Sequence, residues 1–280
     1  MTSPRELEQR LLAAVSFYAS FDEEVRADFG AGKPTPDTRF GPPPEPEKHV
    51  FTTGFDSNLY RIARGRGISG GALEATGLLP DNGRIFFPVK GNLAFDWTGW
   101  SGALSFWANT DPNESIKAPF CDPIQITQNG ANNGGLWVDF NKASPRDLRH
   151  GAFPAAAAGQ SPISEEASDA PLVRVPRIGW KAGEWHHVVM NWRNLDTGRP
   201  DAVSALWIDG HKIGEIGKRE IAMKWNPDRA GIYVAVNYVG LLDELALFNR
   251  ALMDFEIERL HAEPSLLATS GLKTQAAAQQ

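Results

Sequence analysis

Trp137, Asp139 and Asn141 alternate along Leu-Trp-Val-Asp-Phe-Asn (136–141), opposite Leu136, Val138 and Phe140. On a strand, residues two apart share a face, so this segment offers one aromatic ring and two hydrogen-bonding groups together. A stacking ring flanked by polar groups is the chemistry that recognises a sugar. Trp137, Asp139 and Asn141 are therefore the candidate ligand-binding residues. The competing expectation is that the irregular segment 142–183 covers Trp137. The other tryptophans (97, 100, 107, 180, 185, 192, 207 and 225) read as core or edge residues.

Other constellations fail on spacing. Acid–base cleavage of a glycosidic bond takes two carboxylates across one bond. Asp243 and Glu244 are adjacent, so on a strand they point to opposite faces. Asp254, Glu256 and Glu258 are two apart but fall in a predicted helix, where i and i+2 diverge. The adjacent pair His186-His187 projects its rings to opposite faces, so one ion cannot easily take both. Packing is their expected role, one ring against Trp185 or Trp192 and the other on the second face. The sequence holds no Gly-rich phosphate loop, nucleophile elbow or His-Glu-x-x-His motif. Its single cysteine, Cys121, excludes an intrachain disulfide and a Cys-rich zinc site. No catalytic residue is assigned.

The elements that must position these residues are mostly short strands. Candidate strands span 15–21, 58–63, 72–76, 84–88, 103–109, 122–128, 135–141, 148–153, 185–193, 202–208, 212–216, 231–236 and 241–248, punctuated by Gly, Asn, Asp and Pro. Asp209-Gly210 in Ile-Asp-Gly-His-Lys-Ile suits a tight hairpin turn. Ser3 as N-cap, Pro4 at the first helical position and Glu6 predict a helix over 3–14. A second helix is expected over 254–261. The proline-dense stretch 30–48 reads as a surface connector, neither helix nor central strand. Residues 142–183 form an irregular insertion, either a lid or disordered, and 264–280 a frayed tail. Strands at this spacing without intervening helices predict an all-β antiparallel sandwich.

A chain of 280 residues with 42% hydrophobic and 22% charged residues holds enough apolar material for a packed core, which excludes wholesale disorder. The formal net charge of −6 argues against a nucleic-acid-binding surface. No run of 18 apolar residues predicts a membrane span. Leu11–Phe21 has the apolarity of a leader's central region, but Glu6 and Glu8 are wrong for its positive flank. The expected location is extracellular or periplasmic if a leader was removed, and cytoplasmic otherwise.

Gly-Ala-Leu-Ser-Phe-Trp-Ala-Asn (102–109), Gly-Glu-Trp-His-His-Val-Val-Met-Asn-Trp (183–192), Ala-Leu-Trp-Ile-Asp-Gly-His-Lys-Ile-Gly (205–214) and the run 239–260, with its Leu-Asp-Glu and Phe-Asn-Arg-Ala-Leu, occur in that order. With Ser16–Val25 and the Gly-Gly-Ala-Leu of 70–73, they resemble laminin-G-like, concanavalin A-like jelly-roll domains over residues 15–262. Met253 departs from the pattern, which usually has Ser or Thr as the cap of the last helix. The resemblance implies two stacked antiparallel sheets, often one calcium ion, and frequently sugar or protein recognition as in lectins. In such domains the ion sits where the acidic end of the first strand meets the last strand. Here those positions are Asp22 and Asp243, the candidate metal ligands, with carbonyls of Gly65–Gly71 as further oxygens. Asp243 lies among Leu241, Leu242 and Leu245 and its nearest bases are Arg26 and Arg250, so a buried carboxylate there needs donors or a cation.

Enzymes of the same architecture give the rival reading. Polysaccharide lyases of a related jelly roll use a Gln-Ile-His strand. This chain has Gln125-Ile126-Thr127, and a threonine cannot do a histidine's proton transfer near neutral pH. No Glu-x-Asp-x-Glu strand of the hydrolase type is present. The expectation is thus non-catalytic recognition of a carbohydrate with a structural calcium ion. The alternatives are a glycoside hydrolase or lyase, or a protein–protein adhesion module.

Overall fold

The computed structural model describes residues 4–41, 48–77, 83–270 and 272. The chain opens with helix α1 (Pro4–Leu12) and strand β1 (Val15–Ala19). The cap expected at Ser3 lies outside the described residues. Short strands β2 (Phe29–Gly30), β3 (Asp37–Phe40), β4 (Val50–Thr53) and β5 (Tyr60–Ile62) lead to β6 (Leu73–Thr76) and β7 (Arg84–Pro88). Longer strands follow: β8 (Trp100–Asn109), β9 (Cys121–Thr127), β10 (Gly135–Phe140) and β11 (Leu148–Phe153), then β12 (Leu172–Val175), β13 (His186–Leu195) and β14 (Ala202–Ile208). After β15 (His211–Arg219), β16 (Gly231–Val236) and β17 (Val239–Phe248), the chain ends in α2 (Asp254–Ala262) and α3 (Leu266–Thr269).

These strands form the expected β-sandwich of two antiparallel sheets. The first runs β15-β14-β13-β8-β17-β1-β2, with β6 also on β17 and β5 on β6; the second runs β12-β11-β10-β9-β16-β7-β3-β4. Period-2 alternation builds the core between them. Leu104 and Phe106, Val188 and Met190, and Leu206 from the first sheet meet Ile124 and Ile126, Leu136 and Val138, and Ile232 and Val234 from the second. The predicted hairpin is present: Ile208 pairs with His211, and both Asp209 and Gly210 take positive φ (51° and 77°), the geometry a two-residue turn demands.

The outer face of the first sheet is apolar and carries the helices. Leu11, Ile257, Leu260, Leu266, Leu267 and Leu272 pack there on Tyr18, Val189, Trp207 and Phe248. Leu266, Leu267, Ala268 and Leu272 are thus docked, and the expectation of a frayed tail is corrected for them; 271 and 273–280 lie outside the described residues. Met253 caps α2 without a side-chain hydroxyl. Glu256 accepts from its backbone N–H at 2.8 Å and is itself held by Arg250 at 2.7 Å, so the missing Ser or Thr costs the helix no start.

Two stretches that read as irregular contain strands, β3 in the first and β11 and β12 in the second, of which only 148–153 is among the candidate strands above. Residues 37–40, expected to lie in a connector, form β3 with neighbours on both sides, β7 and β4. The prolines bracket the paired segment instead of entering it; the Pro36 carbonyl accepts from Gly54 at 3.2 Å. Within 142–183, β11 and β12 pair with each other, leaving 154–171 as the loop between them.

Candidate functional site

The sandwich closes at a corner built by β17. Its first half pairs with β6 (Val239–Leu242 against Thr76–Leu73) and its second half with β1 (Leu245–Phe248 against Ala19–Val15). Asp243 and Glu244 stand at the switch, where pairing with β8 is also irregular and Glu244 takes a φ of 52°. Asp243 therefore faces the gap between the end of β1 and the approach to β6. It is fully buried and accepts from Ser69 N–H at 3.2 Å and Glu244 N–H at 2.8 Å. Burial pushes its carboxyl up to about 8, against the pull of those donors and of Ile68 N–H, and the charge of Asp22 adds to the rise. Asp22, just past β1, accepts from Gly71 N–H at 2.9 Å.

The structure thus brings the two candidate metal ligands to one loop, 67–71. The Gly residues of that loop are required sterically. A Cβ on Gly67 would lie 2.6 Å from Asp243 Oδ2, and one on Gly70, whose φ is +72°, would lie 2.0 Å from Asp22 Oδ1. The glycines let backbone and carboxylates converge. Among the described residues no group of three or more His, Cys, Asp or Glu side chains gathers as a metal site. A cation at this corner would draw its remaining donors from backbone oxygens, and the all-oxygen set suits a hard ion.

The face of Trp137 is a different matter. Trp137 is 1% exposed. Its ring stacks on Phe153 (centroids 5.7 Å apart, 13° between planes), its indole N–H donates to the Ala131 carbonyl at 3.0 Å, and the Arg149 guanidinium lies 5.3 Å from the ring centroid. Asp139 is buried and held by both arms of Arg149, Nε at 2.8 Å from Oδ1 and Nη2 on Oδ2. Burial nonetheless raises its carboxyl to about 6 against the Arg149 charge. Glu165, from the 154–171 loop, pairs with Arg149 at 2.8 Å. Asn141 closes the β10–β11 turn; its Oδ1 accepts from Ala143 and Asp147 N–H at 3.1 and 3.0 Å and its Nδ2 donates to Asp147. The expectation of an open platform at Trp137, Asp139 and Asn141 is corrected. Trp137 and Asp139 share the outer face of the second sheet as alternation predicts, but rings and ion pairs cover them.

His186 and His187 do point apart. His186 stacks on Trp180 at 4.3 Å and bonds Asp209 at 2.9 Å. His187 stacks on Trp107 at 5.0 Å and bonds Ser105 at 2.8 Å. Thr127 bonds the Gly130 and Gly134 carbonyls at 2.8 and 3.0 Å, a turn-holding role.

An open groove lies next to the Asp22–Asp243 corner, with a volume of about 360 Å3. Half-buried Trp185 forms one wall, its ring backed by the cluster of Ala63, Ala72 and Leu241. Arg66, Glu74, Asn109, Asp111 and Ser115 supply polar groups. Arg66 and Arg61 pair with Glu74 at 3.1 and 2.7 Å, and Lys181 with Asp111 at 3.0 Å, which fixes the carboxylates. Arg66 adjoins Gly67, and Leu241 precedes Asp243 by two, so corner and groove share two walls. Sequence reading placed Trp185 among core or edge tryptophans, because its polar neighbours come from residues 66–74 and 109–115.

No protein-family model matches the chain, and no curated protein matches it by sequence. Solved structures do match in fold. Domain 4 of AbnA, an extracellular arabinanase from Geobacillus stearothermophilus solved with arabinotriose, superposes with a TM-score of 0.51 at 16% identity over 88% of this chain and 98% of that domain. The binding domain of a botulinum neurotoxin of serotype D/C gives 0.55 at 11% identity, covering 91% of this chain and 53% of that one. Trypanosoma rangeli sialidase gives 0.52 at 14% identity, covering 92% and 34%. The chain thus spans nearly all of the arabinanase domain, about half of the toxin domain and about a third of the sialidase. At these identities the shared property is the β-sandwich itself.

Proposed function

We propose that this is a laminin-G-like, non-catalytic recognition domain that binds carbohydrate in the Trp185 groove, beside a structural calcium ion held by Asp22 and Asp243. One observation carries the reading: a half-buried indole and a set of fixed polar side chains line the same open groove. An aromatic wall takes the apolar face of a sugar ring, and oriented carboxylate, amide and guanidinium groups take its hydroxyls. The arabinotriose bound to the arabinanase domain supports the same class of ligand. Bound calcium would neutralise two buried carboxylates and pin the 67–71 loop, and with it one wall of the groove.

A glycan array probed with the wild-type chain and with Trp185→Ala, each with calcium and with EGTA, tests this. Selective glycan binding is expected, weakened by about 1–3 kcal/mol in Trp185→Ala and reduced by EGTA. An array without a hit, or hits indifferent to Trp185→Ala, overturns the groove. Release of reducing or unsaturated sugar would instead mark an enzyme.

A further inference from the structure

The outer face of the second sheet carries polar groups that neither the corner nor the groove uses. Arg39 on β3 and Arg84 on β7 are register partners, so their side chains stand side by side on one face. Phe51 on β4 is the partner of Arg39 on its other side and is 52% exposed at the sheet edge. In the neighbouring row, Phe86, Tyr233 and Gln125 are partners across β7, β16 and β9. The Arg39 guanidinium lies 4.5 Å above the Tyr233 ring centroid, and its Nη1 donates to the Tyr233 hydroxyl at 2.9 Å.

Three buried donors and one buried acceptor of this cluster are unmet among the described residues. Arg39 is 1% exposed, yet among the described residues its Nε and Nη2 have no hydrogen-bond partner; the same holds for the buried Nε of Arg84 and the buried Oε1 of Gln125. Asp122 acts on Arg84 through space, but among the described residues it forms no ion pair with it. Burial, with Asp139 nearby, pushes the Asp122 carboxyl well above the usual range, which makes it a weak counter-charge. Burial also lowers both arginines, and Arg39 lowers Arg84 further. A buried guanidinium beside a half-buried one, neither paired with a carboxylate among the described residues, is costly, and native folds seldom leave such donors unmet. Arg149, further along the face, differs: Asp139 and Glu165 already occupy it.

We propose that Arg39 and Arg84 form the anion-holding end of a second binding site, which takes the carboxylate or sulfate of an acidic saccharide. A guanidinium fork matches either oxyanion in bidentate fashion. Gln125 Oε1 and the Tyr233 hydroxyl proton remain for sugar hydroxyls, and Phe51 offers a ring at the rim. Asp139 and Glu165 along the same face outweigh the charge of Arg149 and repel a polyanion, so the ligand carries isolated charges, in keeping with the net charge of −6. The oxyanion follows from the arginines alone; the saccharide part rests on the carbohydrate reading above.

Calorimetry on the full chain with trigalacturonate, a sulfated chondroitin tetrasaccharide and neutral cellotriose tests the site. Binding of at least one acidic probe is expected, weaker at high salt, at least tenfold weaker in Arg84→Gln and unchanged in Trp185→Ala. Which acidic probe binds distinguishes carboxylate from sulfate. If Arg84→Gln unfolds, Gln125→Leu must show the same tenfold loss. Failure of both acidic probes, equal affinity for cellotriose, or full affinity in the folded variant overturns the proposal. Array hits abolished by Trp185→Ala would meanwhile leave the groove standing.

Discussion

Trp137 lies flat across its neighbouring strand because residue 151 is glycine; a Cβ there would be 2.4 Å from the indole. Truncation at this site leaves a cavity between Phe153, Arg149 and the 131–135 turn. Trp137→Ala should therefore cost about 3–5 kcal/mol of stability, read by urea denaturation, while glycan binding by the folded fraction stays as in wild type. A stable mutant with lost binding would restore the open platform. Alternation in 136–141 correctly gave the facing of Trp137 and Asp139. It could not show coverage, because the covering groups, Ala131, Arg149, Phe153 and Glu165, come from other strands and a loop. The cluster of Arg39, Arg84, Gln125 and Tyr233 is invisible in the sequence for the same reason, with four strands each contributing one side chain. That Asp22 and Asp243 meet at one loop was legible only through the resemblance.

At the scale of elements, α2 is fixed to the first sheet by a stack of three rings. His187 on β13 lies 5.0 Å from Trp107 on β8 and 5.9 Å from His261 on α2, and Trp107 lies 5.5 Å from His261. Burial lowers His187 to about 3, with the charge of His261 lowering it further and Asp209 opposing. His150, enclosed between Trp137 and Ser204, is likewise lowered by burial, to about 4. An unfolded chain protonates histidine near 6.5, so below that pH the unfolded state takes protons that the folded state refuses. Stability is therefore lost progressively as pH falls from about 6.5 toward 4 and 3. The expected result is a melting temperature that declines across this window, with a shallower slope in His187→Gln; equal slopes in the two proteins would contradict it. The pairing of two aromatic-flanked histidines on opposite faces was readable from strand alternation. Their partners Trp180 and Trp107 were not, because each arrives from a distant segment. Strand β3 was missed because proline density marks a stretch as irregular without saying which residues between the prolines pair.

The whole molecule is tied where its chain begins and ends. Strand β1 pairs with β17, Arg259 of α2 meets Glu8 of α1 at 3.1 Å, and Arg250 donates to the Arg10 carbonyl at 3.1 Å. The jelly-roll reading anticipated this closure, since the resemblance sets the first strand beside the last. At that seam the Asp22–Asp243 corner joins the end of β1, the approach to β6 and the middle of β17, three segments separated by up to 221 positions in the chain (243 − 22). The proposed calcium ion would bind the folded state alone, because unfolding scatters Asp22 and Asp243. At a concentration 100 times its dissociation constant it adds about 2.7 kcal/mol. For a domain of this size that is a fall of about 5–10 °C in melting temperature on adding EGTA. Calcium should restore the loss and magnesium should restore less, since it demands a smaller octahedral shell. Asp243→Asn removes the cation's charge partner, so it should abolish the calcium response. It should also raise the calcium-free baseline, since it relieves a carboxylate whose burial already pushes it up to about 8. A melting curve indifferent to EGTA, or an Asp243→Asn protein that still responds to calcium, would remove the ion from the account and leave the corner as a hydrogen-bonded loop anchor.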